Sequence, residues 1–210
     1  MQTMAAPSLL LITDRNNSAL SLDAVILEAL EAGCRWIMVR EKDLATAELR
    51  PLLESIAALA ADFGATVSVN GDYTAASLCK IPGLHLPQGE PVATIRRVMG
   101  AQTLIGVSAH SVIEAQTAIA EGANYVTMSP IFPTDSKPGY GPALGLEGLA
   151  AMTQAVSAPV LALGGVSPAN AADCVRAGAA GVAVMGSVMR SPTPGAVIRD
   201  LVATLSSVAT

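Results

Sequence analysis

The chain has 210 residues and a formal net charge of −5, with 51% hydrophobic, 14% charged and only 3% aromatic residues. The acidic balance excludes a general nucleic-acid binder, and no run approaches the roughly 18 apolar residues needed to span a membrane. Met1–Pro7 is too short and too weakly apolar for a signal peptide, so a cytoplasmic protein is expected.

Short apolar runs alternate with helix-period segments from end to end. Ser8–Thr13 reads as a first strand, and Ser21 as the N-cap candidate of a helix running to Ala32. Gly33 stops that helix before a second strand, Arg35–Arg40. A helix over Thr46–Phe63 ends at Gly64, and a third strand, Ala65–Val69, leads to a short helix over Tyr73–Cys79. Gly83–Leu86 is a short fourth strand, followed by a helix over Val92–Met99. Leu104–Ser108 is the fifth strand, Ser111–Ala120 its helix, and Tyr125–Met128 the sixth strand. A long loop, Ser129–Gly145, precedes a helix over Leu146–Val156. Two further apolar runs, Pro159–Leu163 and Gly181–Val184, are separated by one more helical segment. Continuous apolar strands alternating with helices describe a parallel sheet buried on both faces. Eight such units without a composition break predict one domain over residues 1–210, a (β/α)8 TIM barrel. A doubly wound open sheet would place a glycine-rich turn after the first strand, where Thr13-Asp14-Arg15 stands instead.

The last two strands both end in small residues, Gly164-Gly165 and Met185-Gly186-Ser187. Glycines there let backbone N–H groups approach an anion, and adjacent turns after strands 7 and 8 form the phosphate seat of many barrels. A phosphorylated small molecule is the expected ligand. The other strand ends add Arg40-Glu41-Lys42, Asn70-Gly71-Asp72, Gln88-Gly89-Glu90, Ser108-Ala109-His110 and Thr134-Asp135-Ser136-Lys137. Arg40, Lys42 and Lys137 suit an anion, and neither lysine lies in an apolar run that would tune it for Schiff-base chemistry. His110 is the acid–base candidate, because an imidazole exchanges protons near neutrality; His85, inside a strand, reads as structural. Asp72, Glu90 and Asp135 are scattered and have no metal-site spacing. Cys34, Cys79 and Cys174 lack CxxC spacing and read as reduced thiols.

These strand ends, in this order, resemble the thiamine phosphate synthase family and its relative, the thiazole tautomerase TenI. The resemblance covers LLLITDR (Leu9–Arg15), VREKD (Val39–Asp43), Val69-Asn70, GLHLPQ (Gly83–Gln88) and IGVSAHS (Ile105–Ser111). It continues through GANYVTMSPIFPTDSK (Gly122–Lys137), ALGLEGL (Ala143–Leu149), LALGGVSPAN and GVAVMGSV. Both relatives have a (β/α)8 fold. The synthase joins a thiazole phosphate to a pyrimidine diphosphate and displaces pyrophosphate held by Mg²⁺. Against its pattern, Met38 stands where a pyrimidine-contacting Gln is expected, Gly71 where a metal-binding Asp is expected, and Glu90 where a second Asp is expected. Gly186 replaces a frequent Ser, which leaves a backbone N–H and Ser187 for the phosphate.

The resemblance therefore implies, as the preferred reading, a metal-free and cofactor-free tautomerase, an isomerase with His110 as proton shuttle. Its phosphorylated thiazole would be held by Arg40, Lys42, Asn70, Ser108, Thr134, Ser136, Lys137, Gly164, Gly165, Met185, Gly186 and Ser187. The alternatives are the synthase, with Mg²⁺ on Asp72 and Glu90, and a non-catalytic phosphate-binding regulatory barrel. No nucleic-acid or membrane partner is expected, and a homodimer is compatible with the Ala/Leu-rich helices.

Overall fold

Eight parallel strands close on themselves in sequence order, β1 pairing with both β2 and β8. The computed structural model describes residues 8–134 and 142–208. The strands are β1 (Ser8–Ile12), β2 (Trp36–Val39), β3 (Thr66–Asn70), β4 (Gly83–Leu86), β5 (Leu104–Ala109), β6 (Tyr125–Met128), β7 (Val160–Leu163) and β8 (Gly181–Val184). Around them run α1 (Leu22–Glu31), α2 (Thr46–Asp62), α3 (Tyr73–Leu78), α4 (Val92–Met99), α5 (Val112–Ala120), α6 (Gly145–Ala155), α7 (Ala171–Arg176), the single turn α8 (Gly186–Met189) and α9 (Pro194–Ser207). The expected (β/α)8 barrel is the fold.

Local chemistry explains most boundaries. Ser21 caps α1 by accepting the N–H of Ala24, and Ser111 caps α5 by accepting that of Glu114. Gly33, at φ +102°, and Gly64, at φ +62°, take the left-handed conformation that ends their helices. Thr13 and Arg40 fall just outside the strands expected to contain them: the Thr13 N–H still reaches Met38 O, but the Arg40 N–H bonds the Thr13 hydroxyl instead of a strand carbonyl. Three elements have no segment in the sequence reading: a 3₁₀ turn at Arg15–Asn17, the one-turn α8 and the closing helix α9.

The alternation of side chains across each strand builds two cores. Outward residues such as Leu11, Ile37, Val69, Leu84, Ile105 and Val182 pack beneath the helices. Inward residues Leu10, Ile12, Trp36, Met38, Tyr125, Leu161 and Ala183 fill the barrel. Each buried Leu or Ile contributes about 1.5–3 kcal/mol relative to exposure. Two strand glycines make room inside. A Cβ at Gly106 would lie 2.0 Å from the Tyr125 ring, and one at Gly83 would lie 2.0 Å from Ser68 Oγ. Cys34 and Cys174 are buried, Cys79 is partly so, and all three are free thiols. Among the described residues, no helix is long and apolar enough to cross a membrane.

Candidate active site

The C-terminal ends of the strands surround a cavity of about 530 Å³. Its floor is apolar, with Ile12, Met38, Leu163 and Ala183, and its walls carry the polar strand ends.

The β2 end is built around an inverted carboxylate. Arg40 and Lys42 line the cavity, whereas Glu41 between them is buried. Glu41 accepts hydrogen bonds from Thr13 Oγ1 at 2.6 Å and from the Arg15 N–H and guanidinium at 3.2 and 3.1 Å. Thr13 Oγ1 in turn accepts the N–H of Arg40 at 2.9 Å. Arg15 also forks onto Asp43, with both contacts at 2.7 Å, and holds that carboxyl well below the usual carboxylate range. The backbone is thus clamped with two cations toward the cavity. The charge of Arg40, with partial burial second, lowers the Lys42 ammonium pKa. An anion beside both relieves that repulsion.

The β7 and β8 turns make a second wall. Gly164 and Gly165 have φ of +95° and +66°, and a Cβ on them would meet Pro130 Cα at 2.8 Å and Pro133 O at 2.5 Å. The glycine pair therefore lets the segment after β6 lie against β7, where Ile131 N–H donates to Leu163 O and Phe132 N–H to Gly164 O. Met185, Gly186 and Ser187 line the same wall. Ser187 Oγ is shielded from solvent and has no hydrogen-bond partner among the described residues. A ligand oxygen would satisfy it. Arg190, one helical turn after Gly186, also faces the cavity and was missed. Its signal was the i+4 spacing from the glycine turn.

Asn70, Ser108, His110 and Thr134 complete the lining. Asn70 Nδ2 donates to His85 O at 3.3 Å. His110 Nδ1 lies 2.7 Å from Ser129 O, so that nitrogen carries a hydrogen. His85, expected to be structural, is buried within β4 and also lines the cavity. Asp135, Ser136 and Lys137 lie outside the described residues.

Among the described residues, the metal candidates Asp72 and Glu90 are not brought together. Asp72 Oδ1 caps α3 through the N–H of Ala75 at 2.8 Å, and Oδ2 accepts Thr46 Oγ1 at 2.7 Å. Glu90 is exposed on a shallow neighbouring depression. Neither lines the main cavity, and no cluster of three His, Cys, Asp or Glu side chains suits a metal among the described residues. The carboxylates as placed do not fit a Mg²⁺ site.

Residues 9–188 match the model of a family described as thiamine monophosphate synthase. The chain belongs to that family. Relatives include the thiamine-phosphate synthase of Roseiflexus sp. (strain RS-1), 38% identical over 93% of this chain and 84% of its own. That of Chlorobium luteolum (strain DSM 273 / BCRC 81028 / 2530) is 34% identical over 99% of this chain and 97% of its own. A solved thiamine phosphate pyrophosphorylase from Pyrococcus furiosus superposes with a TM-score of 0.89, at 27% identity and 99% coverage of both chains. These relatives overturn the preferred isomerase reading. Members of the family this similar, over nearly the whole length, bear the name of a synthase, a transferase. The tautomerase reading had rested on Met38, Gly71 and Glu90 as departures from the synthase pattern, and the similarity to named synthases over nearly the whole chain outweighs them.

Proposed function

We propose that the chain is a thiamine-phosphate synthase, a transferase that joins a phosphorylated thiazole to a pyrimidine diphosphate and releases pyrophosphate. The full-length similarity to proteins of that name carries the reading. The cavity supports it, because two anion-favouring walls face one space: Arg40 and Lys42 after β2, and the Gly164-Gly165 and Gly186-Ser187 turns after β7 and β8.

In this reading the turns, with Thr134 and the unsatisfied hydroxyl of Ser187, hold the thiazole phosphate. Arg40 and Lys42 hold the diphosphate. The bond between the pyrimidine methylene carbon and the diphosphate oxygen breaks, and its electron pair leaves with pyrophosphate. The thiazole nitrogen supplies the pair for the new C–N bond. Negative charge grows on the bridging oxygen, so fixed cations beside it stabilise the transition state more than the ground state. Met38 and Ile12 give the pyrimidine ring an apolar floor. The aligned carboxylates, Asp72 and Glu90, do not line the cavity.

The test supplies both phosphorylated substrates and follows pyrophosphate and thiamine phosphate together. Stoichiometric appearance of both is expected. Binding of the substrates without pyrophosphate release would overturn the transferase in favour of a binding protein.

A further inference from the structure

The transfer reaction as drawn leaves one buried polar chain unused. His85 on β4 is 3% exposed and forms part of the cavity lining. Its Nδ1 lies 3.1 Å from Tyr125 Oη, and its Nε2 lies 3.0 Å from Ser108 Oγ and 3.4 Å from Thr127 Oγ1. Burial lowers the imidazole pKa to about 3, so the ring is neutral at working pH. Burial raises the Tyr125 phenol pKa, so it keeps its hydrogen.

A neutral imidazole has one N–H and one lone pair, and its neighbours decide which nitrogen holds which. Tyr125 is fully buried, and His85 Nδ1 is its hydroxyl's partner among the described residues. A buried hydroxyl hydrogen without an acceptor forfeits a bond that water cannot replace. Tyr125 therefore donates to Nδ1, and Nε2 carries the hydrogen. Nε2–H points to Ser108 Oγ, the nearer of its two hydroxyls. Thr127 would favour the opposite tautomer by donating to Nε2, but it is farther and would strand the hydrogen of Tyr125. Ser108 accepts from His85 and so turns its own hydrogen toward the cavity.

We propose that His85, fixed as the Nε2–H tautomer by Tyr125, is a positioning residue that presents the Ser108 hydroxyl as a donor to an anionic substrate oxygen. The substrate class rests on the synthase reading; the tautomer does not. The seat of Tyr125 supports it independently. Trp36 packs against the ring at 4.9 Å and 70°, and Gly106 opposite has no Cβ to obstruct it.

The experiment uses the full chain with ¹⁵N-labelled histidine. Long-range ¹H–¹⁵N spectra should show His85 protonated at Nε2, and protonation at Nδ1 overturns the proposal. Tyr125→Phe keeps the ring and should mix the tautomers, while Thr127→Val should not. Calorimetry with inorganic pyrophosphate should then show about tenfold weaker binding for Tyr125→Phe, roughly 1.4 kcal/mol. His85→Gln, whose amide can still donate, should bind pyrophosphate better than His85→Ala. An unchanged tautomer and unchanged affinity in Tyr125→Phe overturn the proposal even if the wild type releases pyrophosphate. Absence of pyrophosphate release by the wild type overturns the synthase reading alone, because the spectra and the binding still report on His85.

Discussion

The β7–β8 wall and the β3–β4 wall differ in what builds them. The first is made largely of backbone, with glycine turns that a Cβ would obstruct and one unsatisfied hydroxyl. The second is made of side chains, and there the expected carboxylates turn away while a neutral imidazole turns in. Backbone sites follow from local sequence, because glycine's freedom is a property of the residue itself. Side-chain sites depend on competition, and Asp72 has two good partners outside the cavity.

The sharpest way to break this contrast is at the backbone wall. Gly165→Val must place a side chain at φ +66° against Pro133 O and Phe132. Turnover should fall at least about 10²-fold, with KM for the phosphorylated thiazole rising first. Retained KM would mean that this turn does not hold the phosphate.

On the β3–β4 wall the largest effect is on acid stability. The folded pKa of His85 is lowered to about 3 against an ordinary value of 6.5. Between those values the unfolded chain binds a proton that the folded chain does not, so stability falls as pH drops through that window. The loss is at most about 1.4 kcal/mol per pH unit and ceases below the folded pKa. Denaturant melts at several pH values should show His85→Gln less sensitive to acid than the wild type. Equal slopes would mean that His85 is not buried and neutral.

Arg40 tests the wall across from the turns' ligand. Arg40→Gln should lower kcat/KM for the diphosphate about 10²-fold, as expected for loss of a donor to developing charge. It should also raise the Lys42 pKa, because Arg40 is the main cause of its lowering. The alkaline limb of pyrophosphate binding should then move to higher pH. A limb that stays in place would separate Lys42 from the anion site.

The smallest effect is expected at Asp72. Asp72→Ala removes the α3 cap and the Thr46 bond and should cost about 1 kcal/mol in stability. Its turnover, with or without added Mg²⁺, should equal the wild type's. A large loss of turnover in the folded variant would return Asp72 to the site.

How much was legible follows from the same division. Strands β4, β6 and β8 and helix α4 occupy the segments expected of them, since apolar runs and Gly or Pro punctuation bound them. The glycine turns, Arg40, Lys42, Asn70, Ser108 and His110 all reach the cavity, because a barrel brings its strand ends to one face. His85 reads from sequence as a core residue and is one, buried in β4; that it also lines the cavity is not legible locally. Its partners, Tyr125 and Ser108, lie 40 and 23 positions away in the chain. Glu41 was read as part of a charged strand end, and nothing local reveals that Thr13 and Arg15 bury it. Transferase and isomerase are not separable from Met38, Gly71 and Glu90 alone, because three single-position departures carry less information than similarity over nearly the whole chain.

The seating of Trp36 gives the molecule a built-in optical gauge. It is the only tryptophan in the chain, 8% exposed, edge-on to Tyr125 and bonded through Nε1 to Ser68 at 2.9 Å. Its emission therefore reports on the middle of the closed ring of strands and on no helix of the outer layer. Loss of ring closure will shift that emission to the red even where far-ultraviolet dichroism, dominated by the helices, still looks native.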